Sequence, residues 1–417
     1  GRQTFQEVSW EEALAYIADK MRGIADTVGP ERMALMYHGA GGSHFRHLLR
    51  AYGSDSVAQP SFAQCRGPRD VGFNLTLGET PNSPERTDMA NARCIVLLGS
   101  HIGENLHNAQ VQTLTDAINN DATLITVDPR FSVPAGKSRH WLPIRPGTDI
   151  ALLLGWMNVL IEEGLYDADF IERHAIGFEQ LAAHVRPYTP EWVFLETGIR
   201  PEVIRETARE MGRAAPATIV HPGRHATWYG DDTQRARAVA ILNALLGSWN
   251  RKGGFYIPEK VSLPNYPLPE YPQPRSRTGD AYPGKWPFAN QGVTNGVIEA
   301  SIGEDAYFKG WIVYATNLPQ TIPGFRKKLE AAADSLDLLV VVDTMPSEMT
   351  GYADVVLPEC TYLERYDDLR NSAERSPSLA LRMPAFEPLY ESKPGWWMAK
   401  QLGERLDLGR YFPWQDY

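Results

Sequence analysis

The sequence predicts an α/β protein, multi-domain, with two Rossmann-like parallel-sheet units. Three observations carry that prediction. Short apolar runs such as Cys94-Ile95-Val96-Leu97-Leu98 and Thr123-Leu124-Ile125-Thr126-Val127 show no polar alternation, as expected of strands covered on both faces. Between these two runs Val111, Leu114 and Ile118 recur at helical spacing, which makes a strand–helix–strand unit. The runs end in polar, glycine-bearing loops, Gly99 to Asn105 and Asp128 to Phe131, at the strand ends where such sheets bind ligands.

Taken in order, Ser9 with Glu12 three residues later reads as a helix start, and Leu14, Ile17, Ala18, Met21 and Ile24 give that helix an apolar stripe. Met33 to Tyr37 reads as a buried strand running into the glycine-rich turn Gly39 to Gly42. After the 94–127 unit, Pro146-Gly147-Thr148-Asp149 caps a long apolar helix reaching Ile161, and residues 166–215 read as helical. Thr218-Ile219-Val220 is a strand that ends in His221-Pro222-Gly223-Arg224-His225, followed by a helix with Ala238, Ile241, Leu242 and Leu245. From about 253 to 300 the chain is rich in Pro, Gly, Tyr and Ser and reads as a functional or covering loop. Strands then resume at Trp311–Tyr314, Leu338–Val342 and Ala353–Pro358.

Composition narrows the function. A net charge of −10 argues against nucleic acid as a partner. The three cysteines, Cys65, Cys94 and Cys360, form no CxxC pair and are too few for an iron–sulfur cluster, which takes about four. Cys65 stands out because Arg66 and Arg69 flank it in a polar, turn-forming stretch. Two guanidinium groups beside an exposed thiol favour the thiolate, a nucleophile and a soft metal ligand. From these residues alone the other reading, a small buried hydrophobe, is the commoner one, since most lone cysteines are structural or inert. The strand-end loops offer backbone amides to a phosphate, and Asp128 offers a carboxylate to a ribose or to the NH groups of a base. No full G-x-G-x-x-G is present. His101, His221 and His225 read as hydrogen-bonded loop histidines.

Several stretches together resemble the molybdopterin oxidoreductase (dimethyl sulfoxide reductase) superfamily. They are Val8-Ser9-Trp10-Glu11-Glu12-Ala13-Leu14, Cys65-Arg66-Gly67-Pro68, Leu98-Gly99-Ser100 with Glu104-Asn105, Val127-Asp128-Pro129-Arg130, Pro143 to Asp149, Thr316-Asn317-Leu318-Pro319-Gln320 and Ala353 to Pro358. Gly223-Arg224, Thr227 to Asp232 and Thr361 to Asp367 look most like the catalytic subunit of polysulfide or thiosulfate reductase.

The resemblance implies molybdenum, or tungsten, held by two molybdopterin guanine dinucleotides, with Cys65 as the protein's ligand to the metal. It places Gly99, Ser100, Glu104, Asn105, Asp128, Arg130, Gly147, Thr148 and Asp149 around one dinucleotide, and Asn317, Asp343 and Arg365 around the other. Arg224, His225 and Trp228 fall where the superfamily approaches pterin and substrate. Arg224 reads either as the contact for an anionic sulfur substrate or as a phosphate or pterin contact. An N-terminal domain with a 4Fe-4S cluster and a C-terminal cap domain are expected outside this chain. So are an iron–sulfur electron-transfer subunit and a membrane anchor subunit, at a periplasmic or extracytoplasmic location. The domains expected here are 1–90 with 300–417 as a discontinuous dinucleotide-binding region, 91–255 as a second Rossmann-like domain with a helical insertion, and 256–299 as a covering loop.

The function implied is two-electron reduction of an inorganic sulfur compound in anaerobic respiration. Arginine at position 66, where formate dehydrogenases carry histidine, argues against that activity. Arsenate, nitrate and tetrathionate reduction stay open, as does a cofactor-free structural subunit of a respiratory complex. One departure from the superfamily is Gly395, which stands before Trp396-Trp397 where an acidic residue is common.

Overall fold

The parallel strands, most of them apolar runs, are β1 (Met33–Tyr37), β2 (Val57–Ala58), β3 (Cys94–Leu98), β4 (Thr123–Val127), β5 (His140–Leu142), β6 (Thr218–Val220), β7 (Gly310–Tyr314), β8 (Leu338–Asp343) and β9 (Val355–Pro358). The structure is a computed structural model and describes residues 5–82, 85–104, 108–223, 230–259, 261–372 and 375–416. It divides into two units. The first comprises residues 1–65, 261–372 and 378–417; the second comprises 66–260 and 373–377. Residues 66–90, expected with the first region, therefore cluster with the second, and the 261–299 stretch belongs to the first. Among the described residues no helix is long and apolar enough to cross a membrane.

The first unit holds a five-stranded sheet in the order β2-β1-β7-β8-β9, every pair parallel. Within the unit that is strand order 2-1-3-4-5, the doubly wound flavodoxin-like arrangement. All five residues of β1 and of β7 are buried, which explains their unbroken apolarity. One face packs on the helices Trp10–Thr27, Gly42–Tyr52 and Gly395–Arg405 through Leu14, Ile17, Met21, Phe45, Leu48 and Met398. The Ser9 side chain accepts from the amide of Glu12 and so starts the first helix where the sequence indicates. The Pro-rich stretch lies along the short edge strand: Gly292 bridges Ala58, and Thr278 Oγ1 accepts from the Val57 amide at 3.3 Å. Covering an edge in this way blocks pairing with another chain.

The second unit holds a four-stranded parallel sheet in the order β5-β4-β3-β6. The chain winds outward from β3 through β4 to β5, then returns to lay β6 on the other side of β3. The core collects the strands around the helix Asp149–Glu162, whose Trp156 is fully buried and donates through Nε1 to Thr207 Oγ1 at 2.9 Å. Four further helices, Ala168–His174, Phe178–Val185, Pro190–Thr197 and Pro201–Ala214, fill the span that reads as helical. The helix Gly67–Leu77 packs closely on Asp232–Leu245 at Gly72, where an added Cβ would lie 2.6 Å from Ala236 Cβ.

Candidate functional site

In doubly wound sheets the winding reverses at one crevice, and ligands bind there at the carboxyl ends of the strands. In the second unit that crevice lies between the ends of β3 and β6. Strand β3 ends in Gly99, whose φ of +60° suits glycine, and in buried Ser100. Strand β6 ends in fully buried His221. Its Nδ1 accepts from the Gly223 amide at 3.1 Å and lies 3.5 Å from Ser100 Oγ. Its Nε2 lies 3.1 Å from Gln110 Oε1. Because Nδ1 is an acceptor, the proton sits on Nε2 and is donated to Gln110, so the ring is a neutral strut between the two strand ends. That is the hydrogen-bonded loop histidine the sequence indicates.

Strand β4 ends in Asp128, 3% exposed. Its Oδ1 accepts from the Arg130 amide at 2.8 Å, which shapes the turn. Its Oδ2 is buried, accepts no hydrogen bond from the described residues and lies 3.4 Å from His101 Nε2. Glu104 clamps the next stretch: Oε1 accepts from the Val133 amide at 2.7 Å and Oε2 from Arg130 at 2.5 Å. The Val133 amide, then the Arg130 guanidinium, holds the Glu104 carboxyl below its ordinary range. Gly147 turns the chain at φ +83°, and Thr148 begins the helix, donating its hydroxyl to Arg145 O at 2.6 Å. Asp149 lies 3.5 Å from Arg235, which also donates to Leu98 O, so that helix start is tied to the end of β3. Gly99, Ser100, Glu104, Asp128, Arg130 and Asp149 thus gather along one edge of this sheet. Asn105, Arg224, His225 and Trp228 lie outside the described residues.

The first unit has a corresponding edge. Asn317 follows β7; its Nδ2 donates to Glu348, and its Oδ1 is buried without a hydrogen bond. Asp343 ends β8 and accepts from the Thr344 amide at 2.7 Å. Arg365 donates to Cys360 O at 2.7 Å and pairs with Glu359 at 2.9 Å and Asp367 at 2.9 Å. Sequence reasoning missed the centre of this cluster. Glu359, buried just past β9, accepts at Oε1 from Tyr314 Oη at 2.5 Å and from the Gly395 amide at 3.2 Å. Burial pushes its carboxyl up to about 7, against the pull of Arg365 and the Tyr314 hydroxyl. The available signal was an acid directly after an apolar strand. Gly395 also finds its reason here: a Cβ would stand 3.0 Å from Glu359 Oε1 and 3.2 Å from Gly41 O, so a larger residue would disturb the amide that solvates the carboxyl.

Cys65 lies in a π-helical turn, Phe62–Arg66, that runs straight into the helix Gly67–Leu77. The stretch expected as polar turn is helical, and π-turns of this kind recur at functional sites. The thiol is half-buried rather than exposed, whereas Cys94 and Cys360 are buried. Burial raises both of those thiols above their ordinary range, which keeps them protonated. The cationic flanks require correction. Arg66 pairs with Asp70. Arg69 is 4% exposed and donates to Glu85 at 2.6 Å, Asp70 at 3.1 Å, Gly223 O at 2.9 Å and Asn82 O at 2.8 Å. Two carboxylates neutralise the two guanidinium groups. Arg69 therefore braces Gly223, next to Arg224, rather than supplying bare charge to a thiolate. Beside Cys65, Gln64 donates to Asn295 at 2.7 Å and keeps its Oε1 buried without a hydrogen bond.

These features define a protein of two doubly wound α/β units, each with a buried, unsatisfied acceptor at a strand end. The chain belongs to the molybdopterin oxidoreductase family, whose profile matches residues 1–405. It is 35% identical to the thiosulfate reductase molybdopterin-containing subunit PhsA of Salmonella typhimurium, over 100% of this chain and 56% of that protein. It is 29% identical to a nitrate reductase of Symbiobacterium thermophilum, over 97% of this chain and 57% of that protein. The chain thus spans a little over half the length of these relatives. In fold it matches the solved acetylene hydratase from Pelobacter acetylenicus with a TM-score of 0.84 at 24% identity, covering 100% of this chain and 61% of that one.

Membership implies a molybdopterin cofactor carrying molybdenum or tungsten, and the residues fit such a group. Buried polar atoms are normally satisfied. Among the described residues Asp128 Oδ2 and Asn317 Oδ1 accept no hydrogen bond, and each lies at a strand end of its own sheet. Both suit the NH donors of a heterocyclic ring. At Gly99 nothing lies within 4 Å of where a Cβ would be, so the backbone is open to a ligand.

Proposed function

We propose that this protein is a molybdenum- or tungsten-dependent oxidoreductase that reduces an inorganic sulfur compound, thiosulfate or polysulfide, by two electrons. The observation that carries the proposal is Cys65: it is the half-buried cysteine of the three, placed on a π-turn in a chain of this family. The similarity to a thiosulfate reductase subunit supports the choice of substrate class.

In this reading the Cys65 thiolate is the soft ligand to the metal. Asp128 Oδ2 and Asn317 Oδ1 would accept from the base ends of two guanine dinucleotides. Gly99, Ser100, Gly147, Thr148 and Asp149, with Glu104 and Arg130 locked to each other, shape the cradle of one dinucleotide; Asp343 and Arg365 line that of the other. The metal and pterins, when bound, supply the two-electron redox chemistry. The chain's own residues hold, orient and charge-match. Arg69 fixes Gly223, the residue before Arg224 and His225, which we assign to the anionic substrate, with Trp228 assigned to the pterin. An arginine suits an oxyanion because its planar fork pairs with two oxygens. The same fork suits a phosphate, so Arg224 as a pterin or phosphate contact is the competing assignment.

In this reading a 4Fe-4S cluster and an iron–sulfur partner subunit, with a membrane anchor subunit, would supply the electrons on the extracytoplasmic side of the membrane in anaerobic respiration. The test is metal and nucleotide analysis of the full-length protein, followed by turnover with a reduced viologen on thiosulfate, polysulfide, tetrathionate, nitrate and arsenate. Molybdenum or tungsten, released guanine nucleotide and a preference for a sulfur acceptor are expected. Preference for nitrate or arsenate would overturn the substrate class, and a metal-free protein the whole reading.

A further inference from the structure

At the outer edge of the second unit's sheet, away from the carboxyl ends just described, three potential metal ligands converge. His140 opens the edge strand β5, and Glu206 and Glu210 lie one turn apart on the helix Pro201–Ala214. Spacing of i and i+4 puts both carboxylates on one helix face. One ligand atom from each of the three residues lies within 4.8 Å of the other two.

Two further observations separate this group from an ordinary surface ion pair. His140 Nε2 and Glu210 Oε2 are both shielded from solvent, and neither makes a hydrogen bond among the described residues. His140 Nε2 does lie 3.2 Å from Glu210 Oε1, but without the alignment of a donated proton. The side chains are only 13% and 11% exposed, so water does not readily replace the missing partners. A separation of 3.2 Å is close to the edge of a tetrahedron around a zinc ion with bonds of about 2.0–2.1 Å. Glu206 is exposed and free to swing in as the third ligand, leaving a fourth position for water.

We propose that His140, Glu206 and Glu210 form a binding site for a divalent transition-metal cation of the zinc type. Two carboxylates and a neutral imidazole balance a 2+ charge and match the nitrogen and oxygen ligands that zinc accepts. Bound there, the ion cross-links the edge strand to the helix behind it and stabilises the unit by mass action. The competitor is Arg139, whose Nε lies 3.3 Å from Glu210 Oε1; its side chain is 65% exposed and can move into solvent.

The test is zinc titration by calorimetry of the full-length protein after dialysis against a weak chelator, with melting temperature measured in parallel. The parent should bind zinc at this site and melt higher with zinc present. Glu206→Gln, which alters an exposed side chain and leaves folding intact, should weaken binding at least about tenfold, and His140→Ala should abolish the zinc-dependent rise in melting temperature. Arg139→Ser should tighten binding by removing the competing cation. If Glu206→Gln and Arg139→Ser bind zinc as the parent does, or if the parent shows no binding, the site does not exist and the trio is an ion pair.

Discussion

Replacing Glu359 with glutamine should change how the protein's stability responds to pH. The Glu359 carboxyl is 4% exposed, and burial lifts it from an ordinary 4.5 to about 7. A carboxyl raised in the folded state binds more protons folded than unfolded. Its contribution to stability is therefore complete below 4.5 and is lost as pH rises through about 7. The shift corresponds to about 3 kcal/mol over that window, since each unit is worth about 1.4 kcal/mol. Arg365 at 2.9 Å and the Tyr314 hydroxyl at 2.5 Å already act against the rise, so they keep the loss from being larger. Glutamine keeps an acceptor for Tyr314 and Gly395 but does not titrate. Melting temperature measured from pH 4.5 to 8 should fall more steeply in the parent than in Glu359→Gln. Infrared titration should show a protonated carboxyl near neutral pH that the variant lacks. Parallel melting curves, together with no such carboxyl band, would refute the assignment of a buried, near-neutral acid at this edge.

Other outcomes follow from the same geometry. Gly72→Ala places a methyl 2.6 Å from Ala236 Cβ and 2.7 Å from Thr233 O, and should cost about 1–3 kcal/mol in denaturant unfolding because a backbone oxygen cannot step aside. Asp128→Ala removes the unsatisfied acceptor and should lower the guanine nucleotide released on acid treatment, with the fold intact by circular dichroism. Arg224→Ala should lower turnover on thiosulfate or polysulfide while metal content stays near that of the parent; parallel loss of metal would make Arg224 a cofactor contact.

The sheets were legible because they are buried on both faces: β1, β3, β7 and β8 read as unbroken apolar runs, and burial on both sides is what removes alternation. Two-residue β2 and the short, partly exposed, partly polar β5 carry no such run, so the sheet edges were not legible. Asp128 and Asn317 could be placed at strand ends from local sequence alone. The Glu359 cluster could not, because Tyr314, Gly395 and Arg365 meet it only through tertiary packing. Nor could the role of Arg69: a cation four residues from a cysteine looks available to the thiol until Asp70 and Glu85 are seen to take it.

Cys65→Ser offers the most direct measurement of the central claim. Serine keeps the size but exchanges a soft thiolate for a hard, weakly acidic hydroxyl. If Cys65 binds the metal, the variant should fold and retain most of its dinucleotide, since the strand-end residues of the two sheets are untouched. Its activity should collapse and the electronic spectrum of the metal should change. Cys94→Ser is the control: that thiol is fully buried at the start of β3, so its loss should alter stability and leave the spectrum unchanged. A Cys65→Ser protein with parental activity and an unaltered metal spectrum would contradict the account.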